Sequence, residues 1–339
     1  MKTLSVIPVL AVLVACGGGS GDTSVADGAP PADPGVVADD AGLPSRGPAP
    51  TGCEYMETFC RRMNDCAPLI LSLQFGTVAK CTERMNLWCT DAAQVAGSGL
   101  TSTTARACAT ALDSHSCSDL LGNGLAACSF IGSRPDGAVC GANPQCASGL
   151  CVRSGQACGT CQPRGPAGTP CRKSVNDDCQ TGLVCANSGQ CVEPAKAGEK
   201  CDATSKPCLA RLYCTKSGTC AIPGKAGDAC AESDGCDILA GVICGPNKIC
   251  VQVKTATAGQ SCGLNPKNGD GPTVCAPGAG NLQTCKATTG TISLGGLAVD
   301  GICTAPALDG DGCTNSNDCL PPAECTSGRC TLPVSGACQ

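Results

Sequence analysis

Four groups of residues in this chain carry side chains capable of chemistry. Cys158-Gly159-Thr160-Cys161 is a C-x-x-C pair, the arrangement in which a thiolate at a helix start exchanges disulfides. His115, the one histidine, stands in Asp113-Ser114-His115-Ser116 and brings together the residue types of a hydrolytic triad. Asp309-Gly310-Asp311-Gly312 and Asn268-Gly269-Asp270-Gly271 are similar to calcium loops, while Asp177-Asp178 and Asn317-Asp318 set carboxylates just before a cysteine. The fourth group is the cysteines themselves, thirty-five of 339 residues, which could be metal ligands, redox catalysts or staples.

The first three groups lack the context their chemistry needs. A redox C-x-x-C follows a strand and opens a helix, whereas this one lies between Ser/Gly/Gln and Pro/Arg/Gly loops and reads as a structural pair. Neighbours in sequence cannot adopt the mutual geometry of a triad, and no G-x-S-x-G elbow is present, so His115 reads as a helix-terminal histidine. Both calcium-like loops lack the first acidic position of an EF-hand and read as turns, and the paired acids read as solvated loop residues. Zinc would need two cysteine knuckles or a Cys/His mixture, and there is one knuckle and one histidine. The expectation is a protein with no catalytic residues, no metal and no cofactor.

Composition points to staples. One Trp, two Tyr and three Phe cannot build a conventional core for a chain of this length, and cysteine-rich chains poor in aromatics are held by disulfides in oxidising compartments. The formal charge of -5 offers neither a nucleic-acid groove nor a polybasic membrane patch. Residues 1–15, MKTLSVIPVLAVLVA, read as a secretory signal: one Lys, a short apolar run, then small residues. No later segment approaches eighteen uninterrupted apolar residues.

Leu13-Val14-Ala15-Cys16 resembles the bacterial lipobox. The resemblance implies cleavage before Cys16, a diacylglycerol on its thiol and an acyl chain such as palmitate on its new amine. Several acyl chains suffice for stable anchoring. Gly17, where an Asp would mark inner-membrane retention, implies by the same resemblance an outer-membrane lipoprotein, expected to be surface-exposed. With Cys16 lipidated, thirty-four cysteines remain, an even number that permits complete pairing. Residues 16–50 comprise the lipidated Cys and a tether without aromatics, expected to be disordered, which reaches roughly 30 Å as a flexible coil.

Residues 51–132 read as a helical cysteine-rich domain. Trp88, Tyr55, Phe59, Phe75 and Phe130 lie here, as does every Met after Met1. Met56, Cys60 and Met63, then Cys81, Met85, Trp88 and Cys89, recur at helical spacing. Cys53 and Cys60 are seven apart, two turns on one face, and Cys81 and Cys89 are eight apart on the next helix. An antiparallel hairpin therefore opposes Cys53 to Cys89 and Cys60 to Cys81. Cys66, Cys108, Cys117 and Cys128 allow three connectivities, left open here.

Residues 133–339 read as tandem cysteine-rich units of about thirty residues. A glycine stands three residues before the first cysteine of each: Gly137, Gly168, Gly198, Gly227, Gly259 and Gly310. The regular cysteine sets are Cys171, Cys179, Cys185, Cys191; Cys201, Cys208, Cys214, Cys220; Cys230, Cys236, Cys244, Cys250; and Cys313, Cys319, Cys325, Cys330. The unit opening at Cys262 is stretched to Cys303, with a short hairpin expected around Gly295-Gly296. The first unit has five cysteines, Cys140, Cys146, Cys151, Cys158 and Cys161; Cys338 restores even parity without a partner that the sequence identifies.

The recurring order seen at Cys179-x-x-Gly182-Leu183-x-Cys185 and Gly189-x-Cys191 resembles the Dickkopf-type N-terminal cysteine-rich module, with fewer cysteines per unit than in that family. The whole chain resembles the cysteine-rich surface lipoproteins of bacteria. The module resemblance covers residues 137–330 and implies a rigid recognition surface. The fold class expected is small and disulfide-rich: a stapled α-helical domain, then a loop-rich array. The function expected is a non-enzymatic envelope scaffold on a lipid tether, which meets a protein or polysaccharide partner for adhesion or envelope structure. The alternative is a specific recognition or protease-inhibitor-like module that uses an exposed loop, with Cys285 to Cys303 as the candidate.

Overall fold

A computed structural model describes residues 51–339 apart from 123, 154–157, 173–177, 203, 231–234, 246, 264–271, 277–284, 288–300, 315, 334–337 and 339. The expected signal, Cys16, the expected tether, the Asn268 loop, Asp177 and the hairpin expected around Gly295-Gly296 lie outside the described residues, as does most of the span between Cys285 and Cys303. What is described is a small disulfide-rich protein, helical at first and built of short strands and loops thereafter.

The helices are α1 (Met56–Cys66), α2 (Pro68–Phe75), α3 (Val78–Gln94), α4 (Ser102–Ser114) and α5 (Cys117–Leu121). Met56, Cys60 and Met63 lie one above another on the buried face of α1. Ala67, held at φ -148° and ψ 61° before Pro68, ends α1, and the proline, which has no N–H to lose, begins α2. Gly76 stops α2 in a positive-φ conformation, donating its N–H to Leu71 and Ser72. Thr77 caps α3 by accepting from the Lys80 N–H at 3.1 Å. Reciprocal boxes, Thr101 with Thr104 and Ser116 with Asp119, open α4 and α5.

Together these helices bury one cluster that includes Met56, Met63, Leu71, Phe75, Trp88 and Leu112 with six wholly or nearly buried cysteines. Cys53 bonds Cys89 and Cys60 bonds Cys81. The hairpin that motivated those pairs needs correction: Cys53 precedes α1 in a turn, and α2 intervenes, so the rungs join α1 and its lead-in to α3 rather than two consecutive helices. The connectivity left open resolves as Cys66–Cys117 and Cys108–Cys128. These bridges clamp α5 and the turn at 126–128 onto α1 and α4.

From residue 137 onward each group of four cysteines closes in crossed order, first to third and second to fourth: Cys171–Cys185 with Cys179–Cys191, Cys201–Cys214 with Cys208–Cys220, Cys230–Cys244 with Cys236–Cys250, and Cys313–Cys325 with Cys319–Cys330. Cys140–Cys151 with Cys146–Cys161, and the stretched Cys262–Cys285 with Cys275–Cys303, cross in the same way. The third and fourth cysteines face each other across hairpins of two or three residues per strand, as in Cys185 opposite Cys191 and Cys325 opposite Cys330.

Backbone chemistry explains the glycines. At Lys196-Ala197-Gly198-Glu199 the Glu199 N–H closes a turn on the Lys196 carbonyl at 3.0 Å, and Gly198 takes the φ of 81° that this turn requires. The Gly198 N–H then reaches the Cys220 carbonyl at 2.8 Å, pinning the head of the segment to its last cysteine. The Glu199 carboxylate accepts the Lys196 N–H at 2.9 Å, as Asp228, Gln260 and Asp311 do for Lys225, Thr257 and Leu308. Where the turn begins with Pro135 or Pro166 there is no N–H to satisfy, and the fourth residue is Ala138 or Thr169 instead.

The chain after residue 137 wraps the helical cluster. Gln145, fully buried, donates to Ala96 O at 3.1 Å and accepts from the Gly141 and Ala142 N–H groups. Leu239, in the turn of the fourth segment, joins the helical core, and the same turn packs against α2. Arg211 pairs with Asp237 at 2.5 Å, tying the third segment to the fourth. The last segment returns to α3 and the first, as described next.

Candidate functional site: the closing contacts and the chemistry-bearing groups

Cys158 and Cys161 are not a pair. Cys161 ends the short strand Gly159–Cys161 and bonds Cys146, while Cys158 bonds Cys338 across 180 residues. The reading of this C-x-x-C as a structural pair is therefore overturned: each cysteine serves a different bridge, and replacing both removes two bridges rather than one. The physical reason is direction. Cys161 lies in the central strand of a three-stranded sheet, opposite Cys151, which aims it at Cys146, whereas Cys158 precedes the strand. The same bridge supplies the partner of Cys338 that the sequence left unidentified.

His115 caps the C-terminus of α4, its Nδ1 2.8 Å from the Ala111 carbonyl and 3.2 Å from Ser114 Oγ. It borders a cleft of about 270 Å³ with Ser118, Asp119, Leu125, Thr181 and Leu209. The Asp119 carboxylate in that cleft is engaged by Ser116, accepting from its N–H and its hydroxyl at 3.1 and 2.7 Å. The groups nearest His115 thus act as helix caps, and Asp113, exposed, pairs with Arg61 at 2.6 Å.

Triplets of sulfurs lie within 4.8 Å of one another, for example Cys140, Cys146 and Cys161. Their proximity follows from two bridges crossing, and sulfurs committed to S–S bonds are not thiolate ligands. The loop acids are also engaged. Asp178 holds Arg172 at 2.6 Å, and Asp318 accepts from the Thr314 N–H and hydroxyl at 2.7 and 2.6 Å. Asp311 serves its own turn.

Asp309 does more than shape a turn. Arg84, on α3 with its side chain 7% exposed, makes a bidentate pair with the Asp309 carboxylate at 2.6 and 2.7 Å, and donates also to the Leu320 and Pro321 carbonyls at 3.0 and 2.9 Å. A planar guanidinium satisfies this fan of four acceptors where a lysine could not. Sequence reasoning passed over Arg84, yet a signal existed. It falls on the buried stripe of α3 with Cys81, Met85 and Trp88, and a cation on an apolar stripe demands a partner from elsewhere.

The last segment also meets the first. Arg134 donates to the Cys338 carbonyl at 3.0 Å. The buried Oε1 of Glu324 has no hydrogen-bond partner among the described residues. Burial pushes the Glu324 carboxyl above the usual carboxylate range, an effect only partly offset by the guanidinium of Arg153 in the first segment. A raised carboxyl favours the protonated form in the folded state, so its contribution to stability is complete below the unfolded pKa and is lost as pH rises through the folded value. Glu324→Gln is therefore expected to raise the melting temperature at about pH 7 and to leave it nearly unchanged near about pH 4. An equal shift at both values in thermal melts contradicts this.

Comparison with known proteins finds no matching family, no matching curated protein and no matching solved structure. Among the described residues no helix is long and apolar enough to cross a membrane.

Proposed function

We propose that the chain is a non-enzymatic, lipid-anchored protein of the bacterial cell envelope, an outer-membrane lipoprotein displayed on a tether. Cys16 carries the lipid, residues 17–50 hold the body off the membrane, and the body offers a disulfide-stapled scaffold to a protein or polysaccharide of the surface. In this reading the segments from residue 137 onward are tandem repeats of one unit, each a crossed pair of bridges behind a glycine turn. The observation that carries it is the commitment of sulfur: every cysteine from Cys53 to Cys338 belongs to a bridge, and the groups around His115 and the loop acids serve caps and turns. A body so cross-linked has little further entropy to lose on binding, which favours recognition by a preformed face.

The segments do not extend as a rod. Arg84 and the Cys158–Cys338 bridge bring the last segment back to the first and to α3, so the scaffold presents a closed exterior. Mass spectrometry of the mature N-terminus from envelope membranes tests the anchor: an acylated Cys16 is expected, and an intact Met1 or a free Cys16 thiol contradicts it. Capture on immobilised surface extracts tests the role. Retention of matrix or cells that survives His115→Ala supports the scaffold, while retention of one defined protease selects the inhibitor-like alternative. Loss of binding with His115→Ala contradicts both.

A further inference from the structure

The bridges divide into two kinds. Twelve lie in six crossed pairs that close loops of 11 to 28 residues. In each pair, opening one bridge leaves its two thiols held close by the other bridge and by the hydrogen bonds of the segment. Four more are packed into the helical core. Cys158–Cys338 belongs to none of the six pairs and spans 180 residues; along the chain it crosses Cys146–Cys161, which is already paired with Cys140–Cys151. Once it opens, the last segment is held to the first and to α3 by non-covalent interactions: Arg134 to the Cys338 carbonyl, Arg84 to Asp309, Leu320 and Pro321, and the attraction between the charges of Arg153 and Glu324.

We propose that Cys158–Cys338 is a redox-operated clasp, opened by a dithiol reductant while the other sixteen bridges stay closed. Cys158 is half-buried and Cys338 is 2% exposed, so a thiolate of the reductant attacks the Cys158 sulfur. The S–S bond breaks, Cys338 leaves as a thiolate and takes a proton, and a mixed disulfide forms at Cys158. The second thiol of the reductant then attacks its own sulfur in that mixed disulfide, releasing Cys158 as a thiol. The protein gains two electrons and two protons, and the dithiol becomes a disulfide. Reopening the closed body separates the first segment from the last and uncovers the surfaces around Arg134, Arg153 and Glu324.

The test uses the full chain in detergent, titrated with mixtures of reduced and oxidised dithiothreitol, quenched by alkylation and mapped by mass spectrometry. At the ratio where half of Cys158 and Cys338 is alkylated, every other bridged cysteine is expected to be labelled at least about tenfold less. The hydrodynamic radius should rise across the same transition. A Cys338→Ser variant should show that larger radius without reductant, its other sixteen bridges intact. If Cys158 and Cys338 label together with or after the crossed pairs, or label first with no change in radius, the clasp does not exist. Should the variant fail to fold, the titration of the unaltered chain still decides.

Discussion

Full reduction of the chain is expected to unfold residues 137–338 outright while residues 56–114 keep part of their helix. The buried clusters of the later segments are made almost wholly of cystine. One consists of Cys140, Cys146 and Cys161 against Cys151, another of Cys179, Cys185 and Cys191 with Cys171 and Leu183 packed on them, and the last joins Ala323, Ala307 and Leu332 to its four cysteines. Strands of two or three residues add a few hydrogen bonds each. A stretch of chain as short as each of these crossed pairs encloses is too small to bury a self-sufficient core, and each native bridge in a small domain is worth about 2 to 5 kcal/mol. Removing both bridges of a pair exceeds anything the remaining contacts offset. The helical part differs because Met56, Met63, Leu71, Phe75, Trp88 and Leu112 bury apolar surface independently of sulfur. Far-UV circular dichroism with limited proteolysis under reductant measures both halves of this expectation. Protease-resistant structure persisting in reduced residues 137–338 contradicts it. The double substitution Cys179→Ser with Cys185→Ser reproduces the effect in one segment, because one of the two belongs to each of its bridges.

Arg84→Met is expected to lower stability by roughly 3 kcal/mol, the cost of breaking a buried ion pair from one side. The substitution preserves the volume along α3 but strands the Leu320 and Pro321 carbonyls and the Asp309 carboxylate. Hydrogen exchange should quicken in residues 307–330, with the bridges of that segment intact, while the other crossed segments keep their protection. Asp309→Asn should cost a comparable amount, because it leaves the Arg84 guanidinium, 7% exposed, without its counter-charge although the two carbonyl partners remain. If Arg84→Met leaves exchange in residues 307–330 unchanged, the return of the last segment to α3 is not held by this contact.

The parts of the fold that are readable in the sequence are the local ones. Helical spacing opposes Cys53 to Cys89 and Cys60 to Cys81 because a period of about 3.6 residues puts them on facing stripes. It misplaces Cys53 inside a helix because the turn before Met56 carries no breaker. Gly198 and its counterparts announce turns because φ near 80° is costly for any other residue, and the acid after them is legible once the missing proline is noticed. The crossed connectivity was not legible, since four cysteines close in three ways and only strand register chooses among them. Nor was the closure. Cys158 stands three positions from Cys161, so proximity in sequence suggested a pair, while its partner lies 180 residues away and depends on the path of the whole chain. Asp309 read as a turn acid for the same reason: its partner, Arg84, is brought to it by tertiary packing alone.

The sulfur of every cysteine from Cys53 to Cys338 is committed to a bridge, in the later segments as crossed pairs closed by one long-range bridge. Non-reducing peptide mapping by mass spectrometry tests it directly. Peptides joining Cys171 to Cys185 and Cys179 to Cys191 are expected, with the same crossed order in the other five segments and a peptide joining Cys158 to Cys338. A Cys158–Cys161 bridge, sequential pairing such as Cys171 with Cys179, or alkylatable thiols among the cysteines from Cys53 to Cys338 in the native protein would contradict it.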